Sequence, residues 1–216
     1  MRITIISDNT VYKQGLKKEW GFAALVEVEN TPKILFDTGA KGSVLLYNMQ
    51  KLNIDPKSID CVFISHDHWD HTGGLKGFLK RNSNVKLYLP YSFFSFTKPR
   101  ARETVRVKDS LKIYENVFST GTLRNIEQSM IIKIGKGLVV IAGCSHPGVG
   151  PILSKASDFG ASIALVGGLH GFREFDLVKD LDLICATHCT QHKERIKKLY
   201  PGKFIEGGAG RTVQIS

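Results

Sequence analysis

The chain has 216 residues, 42% of them hydrophobic and 23% charged, with a net charge of +10. Those values exclude a disordered or fibrous polypeptide and describe one globular domain, residues 1–216, long enough to bury a core. No apolar run reaches the roughly 20 residues of a membrane helix. The amino terminus reads as a strand rather than a signal peptide, so a cytoplasmic protein with no membrane partner is expected.

Strands are expected over 2–6, 23–28, 33–36, 61–64, 85–89, 129–134, 138–142, 162–166 and 183–185, many of them rich in Ile and Val and bounded by Gly, Asp or Pro. Helical patterns cover 42–52, 149–159 and 191–199. The early block is mostly strand, as in an antiparallel sheet, and the late block alternates strand with helix. Two sheets packed together with helices outside satisfy this order. Residues 91–109 read as an irregular insertion. They hold the densest basic run, 98–108, expected as a mobile loop or edge strand at a site mouth. The basic balance favours an anionic partner, a phosphorylated metabolite or a nucleic acid, with a solvated lysine surface as the competing reading.

The cysteines are Cys61, Cys144, Cys185 and Cys189, and no two form a CxxC pair, which disfavours a thiolate zinc knuckle or redox dithiol. Cys61 and Cys185 lie in apolar runs and read as small buried hydrophobes. Cys144 and Cys189 each neighbour a histidine and read as packing residues beside a site, with ligation as the other reading.

The chemistry concentrates in Ser65-His66-Asp67-His68-Trp69-Asp70-His71, which holds three of the chain's 7 histidines. Clustered imidazoles repel when charged and need partners when neutral, and a divalent metal satisfies them by taking their lone pairs. The cluster follows the apolar run Cys61-Val62-Phe63-Ile64, so its ligands stand where a buried strand ends. His146, His170 and His188 each follow another apolar run, and Asp37 follows Ile34-Leu35-Phe36. If these strands are neighbours, their ends converge on one edge.

With the HxHxDH motif at His66, His68, Asp70 and His71, the Asp37 strand end, and His146 and His188 in order, the chain resembles the metallo-β-lactamase superfamily. The phrases Cys144-Ser145-His146-Pro147-Gly148-Val149, Gly167-Gly168-Leu169-His170 and Thr187-His188-Cys189-Thr190 resemble its subgroup of metal-dependent hydrolases related to dihydropterin ribofuranosyl-aminobenzene phosphate synthase. The resemblance implies an α/β (α+β) fold, a four-layer αββα sandwich with a metal pair between the sheet edges. It implies that His66, His68 and His146 hold one metal and Asp70, His71 and His188 a second. Asp37 would orient a ligand, and Asp67 and Trp69 would support the loop. Imidazole and carboxylate donors suit zinc, with manganese or iron as alternatives, as one or two ions. The implied activity is hydrolysis of a small anionic metabolite, phosphorylated or pterin-like, by a metal-activated hydroxide, with Asp70 as base or orienting group.

One departure stands out. The family usually places a bridging aspartate at the end of the strand between the two later histidines, and here that strand ends in Gly167-Gly168-Leu169-His170. Glu174 and Asp176 come several residues later. His170 is therefore expected either as a terminal ligand or as a donor to a developing oxyanion. Three alternatives remain: a nuclease or phosphodiesterase of the same fold, an iron-dependent redox enzyme, and a non-catalytic ligand- or metal-binding protein. Asp8-Asn9 is left between a plain turn and a site-facing pair. The turn at Gly207-Gly208-Ala209-Gly210-Arg211 is left between an anion cradle and an ordinary glycine turn. His192 reads as a surface residue.

Overall fold

The structure is a computed structural model that describes residues 1–94 and 99–216. Part of the expected insertion and of the basic run, residues 95–98, lies outside the described residues.

The first sheet begins with β1 (Arg2–Ser7), β2 (Ala23–Glu27) and β3 (Ile34–Phe36) and continues with β4 (Cys61–Phe63), β5 (Lys86–Pro90) and β6 (Glu103–Val107). A carboxy-terminal strand, β13 (Thr212–Gln214), closes its other edge, in the order β13-β1-β2-β3-β4-β5-β6. The second sheet contains β7 (Leu111–Tyr114), β8 (Val117–Ser119), β9 (Met130–Ile134), β10 (Gly137–Ala142), β11 (Ser162–Gly168) and β12 (Leu183–Thr187), in the order β12-β11-β10-β9-β8-β7. Helices α1 (Gly42–Lys51), α2 (Trp69–Thr72) and α3 (Leu75–Leu79) follow strands of the first sheet. Helices α4 (Val149–Ala156) and α5 (Lys193–Leu199) follow strands of the second.

The central strands are buried on both faces, which is why they read as continuous apolar runs. Alternate residues then serve different cores. Ile34, Phe36, Cys61 and Phe63 face Val139, Ile141, Val166 and Cys185 of the opposing sheet. Leu35 and Val62 point the other way, onto Leu45, Met49, Leu75 and Phe78 of α1 and α3. Val140, Leu165 and Ile184 likewise pack outward on Ile152 and Ala156 of α4 and Ile196 of α5. Three apolar layers between four structural layers make the expected αββα sandwich.

The antiparallel expectation for the early block holds only in part, for β1, β2 and β3. From β3 to β6 the first sheet is parallel, and from β10 to β12 so is the second. Crossovers such as α1 and α4 make this half of each sheet possible. The consequence is functional: the carboxy ends of β3, β4, β10, β11 and β12 all carry a site residue on the segment that follows. β1 runs antiparallel to β2, which runs antiparallel to β3, so the end of β1 reaches the same edge. The expected insertion also contains β6, paired parallel with β5, so its basic residues Arg102 and Arg106 sit at or beside an edge strand. Lysine and arginine on an edge discourage pairing with another chain.

In the glycine turn near the carboxy terminus, three backbone donors have partners inside the protein. Ala209 N–H donates to Thr10 O at 2.9 Å, Gly210 N–H to Ile5 O at 2.8 Å and Arg211 N–H to Gly208 O at 3.0 Å. One of these donors ties the turn to β1, one to the loop after β1, and one closes the turn itself.

Candidate metal centre

The cluster at 66–71 is held by backbone hydrogen bonds before any metal is considered. Thr38 donates to His71 O through both its N–H and its hydroxyl, each at 2.8 Å. Phe22 N–H donates to Asp70 O at 3.2 Å, and Gly74 N–H to Gly39 O at 3.0 Å. A Cβ at Gly74 would overlap Thr38 O, so only glycine lets the segment after α2 lie this close to the loop after β3. Short α2 itself turns Asp70 and His71 inward while leaving Trp69 63% exposed.

Four site residues occupy the left-handed region: Asp37 at φ 55°, Ser145 at 60°, His170 at 25° and His188 at 50°. Each stands just past a strand end. Non-glycine residues in this region store strain of about 1–3 kcal/mol each. The tethers described below hold Asp37, Ser145 and His188 there.

Hydrogen bonds assign the imidazole tautomers. His71 places Nδ1 2.7 Å from Asp37 Oδ2, so Nδ1 carries the proton and Nε2 keeps its lone pair. Ser65 donates its hydroxyl to the same Asp37 Oδ2 at 2.7 Å and its N–H to Oδ1 at 2.7 Å. With its one proton committed, Ser65 Oγ accepts from His66 Nδ1 at 2.9 Å. His188 Nδ1 lies 3.0 Å from Asn9 Oδ1, an oxygen that also accepts from Gly21 N–H at 3.1 Å. In their neutral form His66, His71 and His188 therefore all present an unprotonated Nε2. A neutral imidazole with its other nitrogen tied to oxygen is the form a metal binds.

These Nε2 atoms converge. His66 Nε2 is 3.0 Å from His68 Nδ1, and the rings of His66, His68 and His146 are mutually within 4.8 Å between centroids. His71 and His188 lie 5.0 Å apart between ring centroids. Asp70 Oδ2 sits 3.4 Å from His188 Nε2 and 3.8 Å from His71 Nε2. The buried Nε2 atoms of His146 and His188 lack hydrogen-bond partners among the described residues. A buried polar atom without a partner costs about 1–3 kcal/mol, and convergence of such atoms fits a cation bound between them.

The electrostatics agree at His66, His146 and Asp70 and run the other way at His71. Burial and the surrounding imidazoles push His66 well below the usual histidine range, and burial holds His146 at about 4, so both are neutral at physiological pH. Burial opposes charge on Asp70, but the neighbouring His188 and His71 outweigh it and hold the carboxyl at about 2. Burial also opposes charge on His71, yet the Asp37 carboxylate wins and raises it.

The structure brings together Asp37, His66, His68, Asp70, His71, His146 and His188. His170 stands at the rim, exposed to solvent, with its ring 5.2 Å from that of His146. Glu174 and Asp176 are exposed and belong to neither group of candidate ligands that the described residues form. Asp67 accepts from Phe94 N–H at 2.7 Å and so braces the loop.

Of two further positioning devices, the sequence reading missed one and left the other open. Glu127 is fully buried and accepts four backbone N–H groups in a row, from Gly143 at 2.9 Å, Cys144 at 3.0 Å, Ser145 at 3.1 Å and His146 at 2.9 Å. Burial raises its carboxyl against the pull of those donors. It fixes the turn that presents His146. Asp8 and Asn9 form a site-facing pair rather than a plain turn. Asp8 Oδ2 accepts from the Thr187 hydroxyl and from His188 N–H at 3.1 Å, and Asn9 Nδ2 donates to His188 O at 3.1 Å.

Comparison with known proteins agrees with this geometry. The family profile described as the metallo-beta-lactamase superfamily matches residues 21–168. The curated 7,8-dihydropterin-6-methyl-4-(beta-D-ribofuranosyl)-aminobenzene-5'-phosphate synthase of Methanocaldococcus jannaschii is 28% identical, with 94% of this chain and 95% of that protein covered. A crystal structure described as a metal-dependent hydrolase of the beta-lactamase superfamily superposes with a TM-score of 0.81 at 25% identity, covering 100% of this chain and 99% of the other. Zinc-bound PqqB from Methylobacterium extorquens shares the fold, with a TM-score of 0.68 at 12% identity and complete coverage of both chains (100%). A profile match over more than half the chain, on a sandwich whose strand ends gather these residues, establishes that the chain belongs to the metallo-beta-lactamase superfamily.

Proposed function

We propose that this protein is a metal-dependent hydrolase of a small anionic substrate that carries a flat ring and a phosphate. The observation that carries the reading is the set of inward, unprotonated Nε2 atoms beside an ionised Asp70. His66, His68 and His146 hold one divalent metal, and Asp70, His71 and His188 hold a second, with zinc the best match to neutral imidazole and carboxylate donors. Metal bound there supplies a hydroxide nucleophile and polarises a phosphoryl or carbonyl oxygen.

The chain's own residues do the rest. Asp70 stays ionised at neutral pH, so its carboxylate accepts a hydrogen bond from the attacking water and orients it. His170, exposed at the rim beside His146, donates to the oxyanion that develops on the substrate. Trp20 is 58% exposed with its ring edge-on to His188 at 5.9 Å, and offers a flat apolar face beside the ligands. The net charge of +10 draws an anion toward the protein. The archaeal relative's name, a pterin- and phosphate-bearing synthase, points to the same substrate chemistry.

The test is turnover of phosphomonoester and phosphodiester probes before and after chelator dialysis. Loss of turnover that returns on adding zinc or manganese supports the reading. Turnover that survives complete metal removal contradicts it.

A further inference from the structure

We propose that Cys144 is a thiolate ligand shared by both metal positions, filling the role for which this chain has no bridging aspartate. The inference rests on the metal-centre reading above and goes beyond it in naming the anion between the two positions.

Among the described residues, two groups of side chains could hold a metal ion: His66, Cys144 and His146, and His71, Cys144 and His188. Within each group the ligand atoms all lie within 4.8 Å of one another, and Cys144 is common to both. Its Sγ is 3.2 Å from His71 Nε2, the lone-pair nitrogen identified above. The sulfur is placed by its own backbone, because Cys144 N–H is one of the four that Glu127 holds. The residue is 3% exposed, so its thiol is a built part of the interior.

Charge balance calls for such a ligand. Histidines bind a metal as neutral imidazoles, and Asp70 supplies one negative charge among the six residues assigned to the two metals. Two divalent cations in a largely buried site need more anionic compensation than that. A thiolate supplies it and is a natural partner for zinc. On binding, the Cys144 S–H bond gives up its proton to solvent and the sulfur lone pairs go to the metals.

The strand end that lacks the aspartate is also shaped for sulfur. A Cβ at Gly168 would overlap Gly143 O and come within 2.8 Å of Cys189 Sγ. A side chain reaching into the site from that position is therefore excluded. Cys189 Sγ lies 3.2 Å from Cys144 Sγ and packs against it.

The test uses the whole reduced chain, stripped of metal and reloaded with cobalt(II). The expected result is a thiolate-to-cobalt charge-transfer band in the near ultraviolet. The band disappears in Cys144→Ser and persists in Cys189→Ser, with circular dichroism matching the parent in both. X-ray absorption at the cobalt edge of the unsubstituted chain needs no variant to fold, and should find a sulfur shell at about 2.3 Å, the usual metal–thiolate length for zinc. Cobalt uptake with nitrogen and oxygen neighbours alone overturns the thiolate inference and leaves the metal centre standing. A band that survives in Cys144→Ser and vanishes in Cys189→Ser also overturns it. A chain that takes up no cobalt overturns both.

Discussion

The Asp37 carboxylate receives the Nδ1 proton of His71 at 2.7 Å, and both side chains are wholly buried. This contact does two things. It fixes the tautomer that leaves His71 Nε2 free, and through Ser65 it fixes His66 in the same sense. One carboxylate after β3 thus prepares a ligand for each metal position. Asp37→Asn puts an amide where two donors expect an acceptor. Metal affinity is expected to fall about 10–100-fold, as for other residues that orient ligands. Competition with a chromophoric chelator measures it, and an unchanged affinity would remove Asp37 from that role.

Asn9 plays the matching part for His188. Asn9→Ala removes the oxygen that faces His188 Nδ1 while Asp8 still holds the His188 backbone. Metal affinity should drop at least several-fold, with a lower weight than Asp37 because one histidine is released rather than two. Calorimetric zinc titration should detect weakening of one of two binding steps.

Glu127 is a matter of stability first. In Glu127→Gln one amide arm faces backbone N–H groups with hydrogens of its own, leaving buried donors unpaired. The metal-free chain is expected to lose about 1–3 kcal/mol. Urea unfolding should show a lower midpoint with an unchanged slope. A midpoint equal to the parent would mean that the turn at 143–146 holds itself.

His170 separates ligand from substrate contact. His170→Ala should lower kcat by about 10²–10³, the usual range for losing one oxyanion donor, while metal content and affinity stay at parental values. A variant that loses metal together with activity would make His170 a ligand instead.

Much of the site was legible because metal ligation leaves an imprint in residue type and spacing. The HxHxDH run, Asp37, His146 and His188 each follow an apolar strand, and the structure gathers them. Glu127 left no such imprint. Its partners are backbone N–H groups, which every sequence has, and it lies in the loop before β9 with no periodic pattern around it. Cys144 was legible only as a neighbour of His146, because packing and ligation make the same demand for a small buried side chain. β7, β8 and β13 escaped the strand reading for a different reason. They are three or four residues long, lie toward sheet edges, and expose residues such as Lys112 and Gln214, so the continuous apolar signal of the central strands is missing. The antiparallel expectation for the early block failed beyond β3 because strand propensity does not encode direction. Direction came from the crossovers, and with it the shared edge on which the site stands.

Metal retained per chain after exhaustive dialysis, counted by atomic absorption for the parent and for the double variant His66→Ala/His188→Ala, tests the metal centre most directly. The parent should retain divalent metal and the double variant should lose most of it while keeping its circular dichroism. Equal metal content in the two proteins would contradict a centre built on these histidines.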